Sequence, residues 1–475
     1  MLFPTVDFAI FFCLVFLGHW LLNPRPLPWK LFMIGASYVF YAWWDWHFVW
    51  LLAGVSLVAQ VGGLAVAKQE DPVRRRLVMA IAVAATLAPL AFFKYYGFFA
   101  VNATNGLSRL GIHAGPPLIQ VVLPVGISFF SFMAVSYIVD IQRGDTKPAS
   151  WIDLFLYLSF FPHLVAGPIV RPNELIPQLD IRRDPRHVDV GGAAWLIFGG
   201  LFKKVVVSSY LASAIVDPVF GDPARHGAIE VLFAIWGYAI VIYADFSGYT
   251  DIAIGVAKLL GFQFPQNFDR PYTAKSLQDF WRRWHMTLSR WLRDYLYIPL
   301  GGSKKGEFRT YVNIFITMLL GGLWHGAAWT FVFWGAFHGA GQVIGSYRRT
   351  LRAQRGLPPP PTTRALVWRQ QFLTFQLVCL GWVFFRSDSL STAFSMLGRL
   401  FTGWGQPAPL VTPLVVLTIA FMLALQYAPR SAADRILERV EGLRPVAMGA
   451  VFAFVLFVIT TLGPQGVAPF IYFQF

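Results

Sequence analysis

Three stretches of this chain carry residue types and spacings that can do chemistry. The first is Asp279-Phe280-Trp281-Arg282-Arg283-Trp284-His285-Met286-Thr287-Leu288-Ser289-Arg290-Trp291-Leu292-Arg293-Asp294-Tyr295. Read as one helix, its Trp281, Trp284, Leu288, Trp291 and Leu292 fall on a single apolar face, with Arg282, Arg283, Arg290 and Arg293 elsewhere around it. Such a helix lies on anionic lipid, or it dips toward a cavity with His285 on the inner side. In the second case Arg282 and Arg283 would hold an anionic ligand, because a guanidinium pairs bidentately with phosphate. The second stretch is Gly321-Gly322-Leu323-Trp324-His325-Gly326, an imidazole between two apolar runs. Ionisable groups within a membrane span are expensive and usually functional, and a neutral imidazole is a general base. Neighbouring glycines permit close backbone approach and leave room for another molecule. The third stretch is Tyr243-Ala244-Asp245-Phe246-Ser247-Gly248-Tyr249-Thr250-Asp251. Its carboxylates would orient a histidine or hold a lysine or arginine, or else mark a polar break between two shorter helices.

The elements that must position these groups are membrane spans. Of the 475 residues 56% are apolar and only 13% charged, about half the charged share of an ordinary soluble domain, and mean hydropathy is +0.55. That excludes disordered, fibrous and disulfide-stapled classes and argues against a soluble enzyme. Apolar runs fall near 5–22, 30–44, 48–67, 77–96, 121–140, 191–216, 228–262, 366–385, 411–428 and 446–462. With two further segments, 151–167 and 311–345, the expectation is an all-α multi-pass bundle of about 10–12 spans. Run 5–22 lacks the basic flank and cleavage site of a signal peptide and reads as the first span. The 18 Trp and 45 Phe suit lipid-facing surfaces and interfacial belts.

A net charge of +15 would suggest nucleic acid in a soluble protein. Here the basic residues sit between apolar runs, so no nucleic-acid partner is expected and cytoplasmic loops account for the charge. Lys68, Arg74, Arg75 and Arg76 occupy one loop; 270–309 holds nine Lys/Arg against three acids, and 348–369 holds six with none. Placing both termini outside puts every basic-rich loop in the cytoplasm. Segment 151–167, with basic flanks on both sides and Pro162, Gly167 and Pro168 to break a helix, must then enter and return or lie along the interface. Segment 311–345 must form a hairpin of helices 311–323 and 327–345, with His325 at the apex, deep in the bilayer or near its outer face.

Other chemistries find no support. No P-loop, nucleophile elbow, zinc helix or dinucleotide fingerprint is present. Cys13 and Cys379 lie in apolar runs with no spaced partner, so neither a disulfide framework nor a metal site is expected. No internal repeat and no inverted pair of broken spans is evident, which weakens a transporter reading. His338 reads as structural, and His19, His47, His113, His163, His187 and His226 as interfacial or loop residues.

Together Asp279–Tyr295, the following Tyr297-Ile298-Pro299-Leu300-Gly301-Gly302 and Gly321–Gly326 resemble the membrane-bound O-acyltransferase (MBOAT) superfamily, and more narrowly its bacterial alginate O-acetyltransferase branch. The aromatic stretch Ser37–Trp44, Pro124–Phe129, Ala166–Ile169 leading to Arg171-Pro172, Asp245–Gly248 and Phe470–Phe475 extend the resemblance from about residue 30 to the last residue. It implies one catalytic domain over 1–475, with a motif-rich core at about 120–345, and re-entrant helices around a central tunnel. The family's essential histidine falls on His325, and its second polar position on His285. An acetyl group would pass from a cytoplasmic donor, acetyl-CoA, to an acceptor reached from the outer face, O-acetylating a cell-envelope or secreted polysaccharide in a bacterial inner membrane. No bound cofactor is expected; Arg282, Arg283, Trp324 and Asp245 are candidate substrate-contacting residues. Expected partners are membrane lipids, an outer-face SGNH-type acetyltransferase or esterase, and polysaccharide-pathway proteins. D-alanyl transfer to a teichoic-acid-type polymer, a transporter or flippase, and a silent assembly scaffold remain the alternatives.

Overall fold

The computed structural model describes residues 1–112, 115–117, 119, 121–358, 363–441 and 444–462. Among the described residues every regular element is helical. All ten apolar runs are helices, and their starts carry recognisable chemistry. Thr5, Asp71, Thr363 and Thr412 each accept a hydrogen bond from a backbone N–H three residues on, and Pro26, Pro72 and Pro413 open their helices.

Among the described residues, four helices are long and apolar enough to cross a membrane: Trp46–Ala67, Pro72–Arg109, Val190–Gly221 and Ala228–Leu259. Shorter apolar helices include Val6–Leu22 and Pro413–Tyr427. Val6–Leu22 shows why this surface needs lipid. Its Phe8, Phe11 and Val15 are buried, whereas Val6, Ile10, Leu14, Leu17 and Leu21 are each more than half exposed along one side. A contiguous apolar stripe of that kind has no place in water. The chain is a multi-pass membrane protein.

Two compact units make up the chain. The first comprises Met1–Ala193 and Ala253–Pro265. Within it, segment 151–167 forms two short helices, Trp151–Ser159 and Phe161–Leu164. The longer rises only about 14 Å at 1.5 Å per residue, too little to cross a hydrocarbon core about 30 Å thick, so this run is not a span. It is tied in from within: the Phe161 N–H donates to Ser37 Oγ (3.2 Å) and the Tyr157 hydroxyl to the Val170 carbonyl (2.9 Å).

The second unit comprises Ala194–Ile252 and Gln266–Phe475 and holds every candidate site residue. Its hairpin is longer than the sequence reading of 311–323 and 327–345: the helices are Glu307–His325 and Trp329–Gln354, or about 28 and 39 Å of rise. Gly322 lets them close, since a Cβ there would lie 2.4 Å from the Phe331 carbonyl oxygen and 2.9 Å from Gly335 Cα.

Other expectations are corrected. Asp279–Tyr295 is not one helix. It consists of Leu277–Trp281, a turn, Met286–Leu292 and a wide π-type turn over Arg293–Tyr297. The five residues assigned to one apolar face are nonetheless all buried, because the turn re-aims the second half into the same interior. Nor is there a polar break at Asp245: Ala228–Leu259 is a single 32-residue helix. Run 77–96 belongs to a helix that continues to Arg109. His19 and His163 are fully buried; His19 Nδ1 accepts from the Trp29 indole (3.0 Å). His113, the 470–475 motif and the C-terminus lie outside the described residues.

Candidate active site

His325 is the last residue of Glu307–His325, where the backbone turns extended at Gly326. Its side chain is buried within an aromatic cage: ring centroids of Trp324, Trp334 and Phe385 lie 4.9, 5.0 and 5.2 Å away, all edge-on. The glycines around it divide their work. Gly322 and Gly326 serve close packing, the latter against the Phe331 ring, whereas a Cβ at Gly321 would meet only Leu292 Cδ1, at 3.3 Å.

His285 is fully buried and sits at the break between the two short helices with φ 42° and ψ 54°. Among the described residues only Arg270 shares a positive φ without being glycine. A left-handed non-glycine residue costs on the order of 1–3 kcal/mol and persists only where its surroundings hold it. What holds it is the irregular stretch before residue 270. The Asp269 N–H donates to the Arg283 carbonyl and the Met286 N–H to the Asn267 carbonyl, both at 2.9 Å. The imidazole packs edge-on against Phe246 (4.6 Å) and lies 6.3 Å from the Trp324 ring. Trp324 is therefore flanked by both candidate histidines, 40 residues apart in sequence.

Beside the break lies a cavity of about 450 Å³. Arg282, Arg290 and Arg293 line it together with Gln278, Ser289 and Gln342. No acidic residue is among those lining it, although Arg293 pairs with neighbouring Asp294 (2.6 Å). The arginines expected to share a ligand are thus separated. Arg282 lines the cavity, while Arg283 is turned onto Asp279 (2.8 Å). Arg290 and Arg293 line it as well, because the chain breaks between Trp281 and Met286 instead of continuing as one helix. On the far wall, Thr317 and Met318 of Glu307–His325 line the cavity. Thr317, Gly321 and His325 follow at intervals of four, one face of the helix, about 12 Å along its axis.

Asp245 is placed elsewhere. Its carboxylate pairs with Lys204, both side chains being 1% exposed, and one turn and a half further along Asp251 pairs with Lys203. Gly200 and Gly248 let these helices touch backbone to backbone. His338 is structural in position: its Nδ1 accepts from the Trp281 indole (3.3 Å), and its ring lies 4.9 Å from Trp334.

Comparison with known proteins places this geometry in context. Residues 128–387 match the family model described as the membrane-bound O-acyltransferase family. The chain is 36% identical to a probable alginate O-acetylase, AlgI, of Azotobacter vinelandii, with 100% of both chains covered. It is 40% identical to the probable alginate O-acetylase AlgI of Pseudomonas aeruginosa, over 85% of this chain and 75% of that one. A peptidoglycan O-acetyltransferase of Helicobacter pylori is 34% identical over 84% of this chain and 79% of its own.

Proposed function

The chain belongs to the membrane-bound O-acyltransferase family, and from that premise we propose that it moves an acetyl group from acetyl-CoA on the cytoplasmic side to a hydroxyl of a cell-envelope or secreted polysaccharide. The observation that carries this is the shared helix face joining an arginine-lined cavity to a caged, buried histidine at the hairpin apex. Arg282, Arg290 and Arg293 would receive the phosphates of the donor, and its thioester arm would follow the face of Thr317 and Gly321 toward His325. There the imidazole takes the proton of the acceptor hydroxyl as its oxygen attacks the acetyl carbon. The C–O ester bond forms, the C–S bond breaks, and the proton leaves with the thiolate as free thiol. His285 supports this from across Trp324, whose indole closes the side of the site. Asp245 serves by holding Lys204.

In this reading residues 1–475 act as one catalytic domain of about 10–12 spans in a bacterial inner membrane. Both termini lie outside, and re-entrant helices surround a central tunnel. Because the relatives named above are O-acetylases of alginate and peptidoglycan, an anionic glycan is the expected acceptor. An outer-face SGNH-type partner would complete delivery.

The test uses purified protein in proteoliposomes with acetyl-labelled coenzyme A supplied from one side. Label appearing on an oligosaccharide hydroxyl, or on a co-reconstituted SGNH partner, and lost in His325→Ala supports the proposal. Transfer of D-alanine but not acetyl would move the chain to the teichoic-acid reading. Substrate movement without any group transfer would move it to the transporter reading.

A further inference from the structure

Asn267 lies outside every motif singled out in the sequence, yet it is completely buried and sits where the irregular stretch before residue 270 meets the His285 turn. Its Oδ1 accepts three hydrogen bonds: from the Thr287 backbone N–H (3.1 Å), from the Thr287 hydroxyl (2.9 Å) and from His285 Nδ1 (3.1 Å). Its Nδ2 points to the Thr250 hydroxyl at 3.5 Å. The orientation of the amide follows from chemistry. A backbone N–H only donates, so the Asn267 atom that meets Thr287 N must be the oxygen. That same oxygen faces His285 Nδ1, and an oxygen without a proton only accepts. Nδ1 must therefore carry the hydrogen.

A neutral imidazole holds one proton. With Nδ1 as the donor, the lone pair is on Nε2, which is buried and has no hydrogen-bond partner among the described residues. The left-handed backbone of His285 and the 2.9 Å pairing of Met286 N–H with the Asn267 carbonyl hold main chain and side chain to one register, so ring and amide cannot drift apart independently.

We propose that Asn267 is a positioning residue that locks His285 in the Nδ1–H tautomer and presents Nε2 as a bare proton acceptor inside the site. The inference rests on the reading that His285 takes part in acyl transfer. It makes His285 a base or a hydrogen-bond acceptor in the reaction, never a donor from Nε2, and it makes the segment before residue 270 part of the active centre.

The experiment is ¹⁵N-histidine NMR of the purified full-length protein in lipid, with the His285 signals identified by their loss in His285→Gln, alongside steady-state acetyl transfer. In the wild type the His285 signals are expected to report a proton on Nδ1 and none on Nε2. The opposite tautomer overturns the proposal whatever the variants do. Asn267→Leu, which removes the acceptor, is expected to mix the tautomers and lower kcat at least tenfold while KM for acetyl-CoA stays within twofold. Asn267→Asp, which keeps an acceptor oxygen, is expected to retain the Nδ1–H signal and to be more active than Asn267→Leu. Equal kcat in wild type and Asn267→Leu overturns the positioning role. If His285→Gln itself transfers acetyl at the wild-type rate, it is the participation of His285 that fails, a result separable from the tautomer measurement.

Discussion

Single side chains set the chemistry. His325→Ala is expected to lower acetyl transfer by about 10²–10⁴-fold, the usual worth of a positioned general base, with the protein still inserted and eluting as a single species. Near-normal transfer by folded His325→Ala would remove it from the mechanism. The arginines divide by geometry rather than by motif. Arg282→Gln and Arg290→Gln should raise KM for acetyl-CoA more than they lower kcat, because both line the cavity. Arg283→Gln should leave KM within about twofold, because its guanidinium is engaged with Asp279 and a partly exposed pair of this kind contributes little more than about 1 kcal/mol. Equal effects at Arg282 and Arg283 would return both to a shared ligand. Glycine chemistry was legible at Gly321–Gly326, but which glycine serves close packing and which leaves room beside it was not, because that depends on what the neighbouring helix brings within reach.

Helices place these groups, and their contacts bear separate tests. Gly322→Val should collapse the thermal stability of the purified protein, since its first added carbon already lies 2.4 Å from a backbone oxygen that cannot move aside. Gly321→Ala should fold normally, its added carbon meeting only the end of the Leu292 side chain. The Lys204–Asp245 pair between Val190–Gly221 and Ala228–Leu259 is a buried charge pair, and removing one partner strands the other. Asp245→Asn alone should cost about 3–5 kcal/mol, and combination with Lys204→Met should recover most of that in thermal unfolding. Failure of the double variant to recover stability would point to a direct role for Asp245 in binding. The aromatic-and-arginine segment is the element read least well. Its apolar spacing matched a helix throughout, while the left-handed turn at His285 depends on pairing with residues 267–269, which no local pattern announces.

At the scale of the molecule the question is which way the chain faces. A cysteine at Ser108, introduced after removal of Cys13 and Cys379, should react in intact cells with an impermeant thiol reagent. One at Arg355 should react only after permeabilisation. Labelling of Arg355 from outside would invert the topology and place the arginine-lined cavity on the wrong side for a cytoplasmic donor. The charge bias among loops supports the orientation, because Lys and Arg resist translocation. An apolar stripe on Val6–Leu22 that only lipid can cover supports the membrane environment independently.

By itself the sequence determined that this is an all-α membrane protein, that its ten apolar runs are helices, that His325 caps a hairpin and that the chain is an O-acyltransferase. Each of these is encoded locally or in long motifs: helical spans need only a continuous apolar run, since the bilayer demands internally satisfied backbone, and the hairpin needs only glycines between two such runs. Tertiary structure alone decided what depends on partners distant in the chain. Lys204 claims Asp245 across 41 residues, three arginines converge on one cavity because a helix breaks between them, Trp324 stands between two histidines 40 residues apart, and Asn267 meets His285, 18 positions further along the chain. Hydrogen bonds and ion pairs of this kind are short-ranged and directional, so residue type and spacing could nominate the participants while only the folded backbone could pair them.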